Sequence, residues 1–358
     1  MIRLIIKKII YSFFVLFGIL TLVFFLFSVL PGDPARMMLD KREDADQMKI
    51  INQKYAFDRP LFDQYLLYIN DVSPISVHHK SKNAFTFLLN NKYDYIKIFS
   101  SKNYNIVLKF PYLRDSFVST GTSVTSIISR TFKATFVLAI SSIFFAVFFG
   151  IIFGVVSAVF KNSFIDKIIV FVSVLGMSLP SFFSAIIIAW VFGYLLNNYT
   201  GLNMTGSLYE VDDYGRGSFL QIKNLFLPAI TLGIRPLSVI IQLCRSSLLE
   251  VLGEDYIRTA FAKGLNHYLV IFKHALKNAL NPLITTVSGW FASMLAGAVF
   301  VEYIFGWNGI GKEIVDALNK MDLPVVMGAV LFIALIFVII NILVDIVYAW
   351  LDPRIRIN

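Results

Sequence analysis

ATFVLAISSIFFAVFFGIIFGVVSAVF, residues 134–160, is an unbroken run without Asp, Glu, Lys, Arg or His. As an α-helix it would be about 40 Å long, and about 20 apolar residues already cross the hydrocarbon core of a bilayer. A helix on a soluble core needs one apolar face, whereas this run is apolar all round. In lipid, every backbone polar group must be satisfied within helices or closed barrels. The stretch therefore sets the fold class as all-α and the protein as a polytopic membrane protein.

Working outward, comparable runs lie at 9–30, 168–196, 225–249, 282–305 and 325–350, about six transmembrane helices in all. The composition agrees: 57% of residues are hydrophobic and 15% charged, where a soluble domain carries about a quarter charged residues. The first run follows Arg3, Lys7 and Lys8, as a signal peptide would. Its apolar core is too long for that, and Pro31-Gly32-Asp33-Pro34 follows in place of a small-residue cleavage site, so it is expected to be retained. Lys and Arg number 12 in segments 1–8, 161–167, 245–281 and 351–358, against 4 in the short loops 197–224 and 306–324. The positive-inside rule then places both termini in the cytoplasm. The net charge of +9 is a topology signal on this reading, not a nucleic-acid footprint.

Three regions follow: an N-terminal transmembrane helix (1–30), an extracytoplasmic loop region (31–133) and a five-helix core (134–358) with a long inside loop at 250–281. Within the second, 58–69 reads as an ordered amphipathic stretch, 72–112 as an insertion rich in Tyr and Phe, and 123–132 regains helical periodicity. The insertion is expected either to be an external cap that contacts a protein on the outer face or to be a tolerated surface segment.

Little in the chain suggests catalysis or metal binding. Cys244 is alone, and His78, His79, His267 and His274 all lie outside the spans. Gly306-Trp307-Asn308-Gly309-Ile310-Gly311-Lys312-Glu313 nearly matches a phosphate-binding loop. Glu313 stands where a magnesium-binding hydroxyl is required, so a Gly-rich turn at a helix end is expected. Arg235, Glu302 and Asp345 are ionisable residues within the spans. Such residues are costly in lipid, and either structural pairing or a place in a polar pathway would explain them. Gly150, Gly154 and Ala158, and again Gly289, Ser293 and Gly297, recur at four-residue spacing, which lets helix backbones approach closely.

The inside loop carries the most specific pattern. Glu254, Asp255, Tyr256, Arg258, Thr259, Ala260 and Lys263 belong to a short helix that Gly264 should stop in a left-handed conformation. Its mixed, partly apolar surface suits docking into a groove on a cytosolic protein.

This run, Glu-Asp-Tyr-x-Arg-Thr-Ala-x-Ala-Lys-Gly-Leu, resembles the coupling motif of binding-protein-dependent ABC importer permeases. More narrowly it is similar to the dipeptide/oligopeptide permeases, a family that includes nickel permeases. Further matches are Leu30-Pro31-Gly32-Asp33-Pro34, Asp58-Arg59-Pro60-Leu61 with Gln64-Tyr65, Leu227-Pro228-Ala229 and Arg245-Ser246-Ser247-Leu248-Leu249-Glu250-Val251-Leu252. Phe305-Gly306-Trp307-Asn308-Gly309-Ile310-Gly311 and Leu351-Asp352-Pro353-Arg354-Ile355-Arg356 complete them. Phe261 and the pair Arg235-Pro236 depart from the family pattern.

The resemblance implies a type I importer permease in the inner membrane, itself no enzyme. It would pair with a second homologous permease, two cytosolic ATPase subunits that bind ATP and magnesium, and an extracytoplasmic solute-binding protein, which the insertion at 72–112 would contact if it is a cap. The chain would bind no cofactor itself. Di- or oligopeptides are the expected cargo, with nickel or another small solute as the alternative, and an ATPase-independent secondary transporter behind those. Glu254 to Gly264 would be the coupling helix, where a bulky residue at Ala260 would block docking.

Overall fold

A computed structural model of the protein describes residues 2–28, four positions between 46 and 52, and 55–81, 84–87, 94–119, 121–211 and 217–351. The motifs at 30–34 and 352–356 lie outside the described residues, as do the side chains of 296, 297 and 347–350.

The helices are α1 (Ile2–Ser28), α2 (Leu61–Val72), α3 (Val124–Val159), α4 (Phe164–Ser178), α5 (Ser181–Ile188), α6 (Lys223–Leu252), α7 (Asp255–Ala262), α8 (Asn281–Gly297), α9 (Val299–Phe305), α10 (Ile310–Asn319) and α11 (Leu323–Leu351). Four stretches are long and apolar enough to cross a membrane unbroken: Ile6–Ser28, Val124–Val159, Lys223–Leu252 and Leu323–Ile346. The periodicity at 123–132 does not form a separate element but runs straight into α3.

The remaining two spans are broken. The run at 168–196 is not one helix: α4 and α5 meet at 109°. Leu179 is extended (φ −78°, ψ 131°) just before Pro180, because the proline ring disfavours the helical conformation of the residue before it. Beyond α5 the chain widens into a π-helical turn, Ala189–Leu195. The run at 282–305 is likewise divided into α8 and α9, with the bend at Ala298. Counting each bent pair as one span gives six.

The all-α expectation holds, and short strands appear only between the spans. Strands β1 (Ile75–His79), β2 (Tyr95–Ser100) and β3 (Tyr104–Lys109) form an antiparallel sheet in the order β1-β3-β2. A hairpin, β4 (Tyr209–Val211) with β5 (Ser218–Leu220), forms in the loop before α6. Neither lies in an apolar run, so their backbone groups can pair between strands without exposing an edge to hydrocarbon.

The chain divides into two compact units. One comprises Ile6–Arg130 and Ile314–Ala334. Here α2 packs on the last turns of α1: Phe24 stacks on Tyr68 at 5.6 Å, and the hydroxyls of Thr21 and Tyr65 hydrogen-bond at 2.6 Å. Leu20, Val23, Met327 and Leu331 complete that core. Asp322, just before α11, accepts from Ser116 Oγ and from the Phe117 amide at 3.0 Å.

The other unit comprises Met1–Ile5, Thr131–Glu313 and Leu335–Asn358. Helix α6 is its axis. A β-carbon on Gly150 would stand 2.6 Å from Ile240 Cγ2, and one on Gly154 2.6 Å from Cys244 Cβ. These two glycines, with the buried Ala158, therefore serve backbone-close packing of α3 on α6.

Candidate functional site

The segment singled out in the inside loop is built from α6 downward. Gly253 ends α6, and α7 begins after the extended Glu254. Ile257, fully buried, and Ala260 pack among Leu248, Val270, Ile271 and Ala275. That apolar grip fixes the roll of α7 and leaves Asp255, Tyr256, Arg258, Thr259 and Lys263 facing out. Asn278 Nδ2 donates to the Tyr256 hydroxyl at 2.8 Å, tying α7 to the stretch that leads into α8. Arg258 reaches Asp255 at 3.3 Å on the open surface, a contact worth well under ~1 kcal/mol. Gly264 has φ +76°, the left-handed conformation that its position requires, and nothing stands within 4 Å of where its β-carbon would be. Phe261 stacks on His267 at 5.3 Å between ring centres. Beside them Tyr268, Leu269 and Phe272 line an open depression with Asn266 and Lys273.

Ala260 corrects the expectation drawn from sequence. It points into the chain's own core, because the residue three positions after Ile257 shares its helix face. A bulky residue there would disturb the seat of α7 before it met any partner.

The Gly-rich turn cradles an anion, and that anion is a side chain of this protein. Glu302, fully buried, accepts through Oε2 from the Gly311 amide at 2.7 Å and the Lys312 amide at 3.2 Å. Its Oε1 accepts from Thr135 Oγ1 at 2.6 Å, and Thr135 in turn accepts from the Ile310 amide at 2.8 Å. The carboxylate thus caps the N-terminus of α10, where unpaired amides and the helix dipole favour negative charge. Trp307, wholly buried, donates from Nε1 to Ala134 O at 3.0 Å and pins the turn to α3. Glu302 is therefore a structural tie of the turn.

The other span residues face outward. Arg235 is exposed at roughly 18 Å along a helix of about 45 Å, near its middle. Among the described residues it has no ion-pair partner. Below it on the same helical face come Val239, Gln242, Ser246 and Glu250, half-buried or exposed. On α8, Thr285, Gly289 and Ser293 are exposed, and no atom lies within 4 Å of a Gly289 β-carbon. The exposure of Gly297 lies outside what the structure describes. Asp345 is exposed near the end of α11. The two small-residue series thus differ: the one on α3 packs within the chain, while the one on α8 is open at Gly289 and Ser293.

One buried ion pair escaped the sequence reading. Asp166 accepts from Arg245 twice, from Ser157 Oγ, and from the Asn162 amide at 2.8 Å. The Ser163-Phe164-Ile165-Asp166 capping pattern marks a helix start, and Ser163 Oγ accepts from the Asp166 amide. Nothing in the sequence linked Asp166 to Arg245.

Residues 150–357 match the family described as binding-protein-dependent transport system inner membrane component, and residues 1–84 match the N-terminal part of such membrane components. The chain is 33% identical to a dipeptide transport system permease protein of Alkalihalophilus pseudofirmus, over 96% of both chains. It is 32% identical to a di/tripeptide transport system permease protein of Pseudomonas aeruginosa, over 95% of this chain and 94% of that one. Among solved structures, an inward-facing MetNI methionine ABC transporter covers 64% of this chain and 97% of its own, at a TM-score of 0.50 and 14% identity. That likeness concerns the fold.

Proposed function

This chain belongs to the family of binding-protein-dependent transport system inner membrane components, and we propose that it is the dipeptide-translocating permease subunit of an ABC importer. It is a multi-pass inner-membrane protein that works in a complex. Full-length similarity to dipeptide and di/tripeptide permeases supports the cargo. A second permease subunit completes the pathway, two cytosolic ATPases bind ATP and magnesium, and a solute-binding protein delivers the peptide from outside. The distribution of Lys and Arg supports an orientation with both termini in the cytoplasm.

The observation that carries the coupling role is α7: an apolar grip on one side and an open polar face on the other, ending at a left-handed glycine. A rigid seat lets a push on the open face move α6 and α8 as a body. The outward stripe of Arg235, Gln242 and Ser246, with Thr285, Gly289 and Ser293, supports a polar wall for the path, because polar residues exposed in a span face water or a partner. The test is uptake by proteoliposomes holding the co-purified transporter and its binding protein. A labelled dipeptide should accumulate only with ATP. Uptake of nickel in its place would reassign the cargo, and uptake without ATP would remove the importer reading.

A further inference from the structure

The sheet β1-β3-β2 is built inside out. Register places Ile75, Leu108 and Ile96 side by side on one face, followed by Val77, Ile106 and Phe99, then His79 and Tyr104. On this face Ile96 is 70% exposed, Ile75 and Phe99 59%, Tyr104 49%, Val77 46% and Leu108 44%. The opposite face carries Ser76, His78 and Lys109, all buried, around Val107. His78 bonds Ser76 Oγ at 2.9 Å and Thr86 O at 3.0 Å, and Lys109 Nζ donates to Asp71 O. An antiparallel sheet with one wet side normally shows the reverse, polar outward and apolar inward. A contiguous apolar face of this kind marks a surface that is covered in use.

We propose that this face rests on the lipid headgroup region of the membrane, at the end of the bilayer where α1 emerges. The sheet hangs from α2. Asn70 holds both backbone groups of Val77, at 2.8 and 3.1 Å, and Asp71 pairs with Arg114 at 2.9 Å. Helix α2 in turn packs on α1 through Thr21 and Phe24, seven and four residues before Ser28. At 1.5 Å per residue these contacts lie roughly 10 and 6 Å inside the end of α1. The sheet thus starts from a helix packed on a membrane-length apolar span that is otherwise largely exposed.

Charge points the same way. Residues 73–113 hold six Lys and one acidic residue, Asp94. Lys80 and Lys102 are exposed at the strand ends, and Lys97 is exposed on the opposite face beside Val107. Aromatic and aliphatic side chains ringed by lysine are the chemistry of an element lying in the interface of a membrane with anionic lipids. On the orientation proposed above, this is the outer leaflet.

Ile96 and Ser100 sit on opposite faces of β2 and are both exposed, so they form a matched pair for the test. Each is replaced by Cys in a Cys244→Ser background, labelled with an environment-sensitive fluorophore, and studied in the assembled transporter in nanodiscs containing phosphatidylglycerol and brominated lipid. The label at Ile96 should be quenched several-fold more than the label at Ser100, and Lys80→Gln with Lys97→Gln and Lys102→Gln should reduce the difference. Equal, weak quenching at both positions overturns the proposal. So does quenching that vanishes when the solute-binding protein is added, which would assign the face to that protein, or an Ile96→Cys disulfide between two copies, which would assign it to self-association. Peptide uptake is not read in this test, so its result stands apart from the assignment of cargo.

Discussion

Arg245 grips Asp166 with two parallel hydrogen bonds, Nε to Oδ1 at 2.7 Å and Nη2 to Oδ2 at 2.8 Å, across 79 positions of sequence. The pair ties the turn between α3 and α4 to α6, about two helical turns before the segment that leads to α7. Removing one partner of a buried pair strands the other charge, at about 3–5 kcal/mol for full burial. The Arg245 side chain is 25% exposed, so Arg245→Ala should fall below that range. Thermal unfolding of Arg245→Ala, Asp166→Asn and the double variant should show strong non-additivity. Additive losses would mean that the two residues act separately.

The Glu302 turn makes a second prediction. A β-carbon on Gly309 would stand 2.4 Å from the Glu302 carboxyl atoms. Gly309→Ala must therefore displace the carboxylate from the Gly311 and Lys312 amides. Leaving such buried groups unpaired costs about 1–3 kcal/mol. Hydrogen exchange at those two amides should accelerate in Gly309→Ala and in Glu302→Ala alike. Unchanged protection would show that the amides have another acceptor.

At Gly264 the expected effect is one of backbone strain alone, since its β-carbon would meet nothing. Gly264→Val should cost about 1–3 kcal/mol locally and tilt α7. The spans should insert normally, while association with the ATPases in a pull-down, or uptake per ATP hydrolysed, should drop. Wild-type values of both would remove α7 as the coupling element.

Arg235→Gln tests the polar wall. The substitution keeps a hydrogen-bonding side chain but removes the charge. ATPase association and ATP hydrolysis should persist while peptide uptake falls several-fold. If uptake is unchanged, Arg235 faces lipid or a packing contact.

Orientation can be read with single cysteines in Cys244→Ser. Tyr199→Cys and Asn319→Cys, both at exposed positions, should react with an impermeant thiol reagent in intact cells, and Asn266→Cys should not. Ser207 would be a poor reporter because it is buried and its hydroxyl accepts from the Asn308 amide. Reaction at Asn266 would invert the topology.

Much of the architecture could be read from residues alone, since lipid imposes a rule that operates on one segment at a time. A run such as 134–160 must be helical wherever it sits, and Gly264 after Lys263 announces a left-handed stop within a few residues. Even the break between α4 and α5 was written locally, in Leu179-Pro180, although a hydropathy count smooths over it. The short helix α7 was legible for the same reason: its start and its stop lie within ten residues of each other.

What tertiary structure decided are relations between segments that no local rule connects. Glu302 reads as a costly charge in a span until the amides of 311 and 312 fold over it and Thr135 arrives from α3. Ala260 reads as part of a docking surface until Ile257 sets the roll of α7. The four-residue glycine spacing is the same on α3 and α8. Only the presence of Ile240 and Cys244 opposite the first, and of no neighbour at Gly289, separates a packing seam from an open face. Sequence specifies which groups must be satisfied. Which partner satisfies them depends on distances between segments far apart in the chain, and those exist only once it is folded.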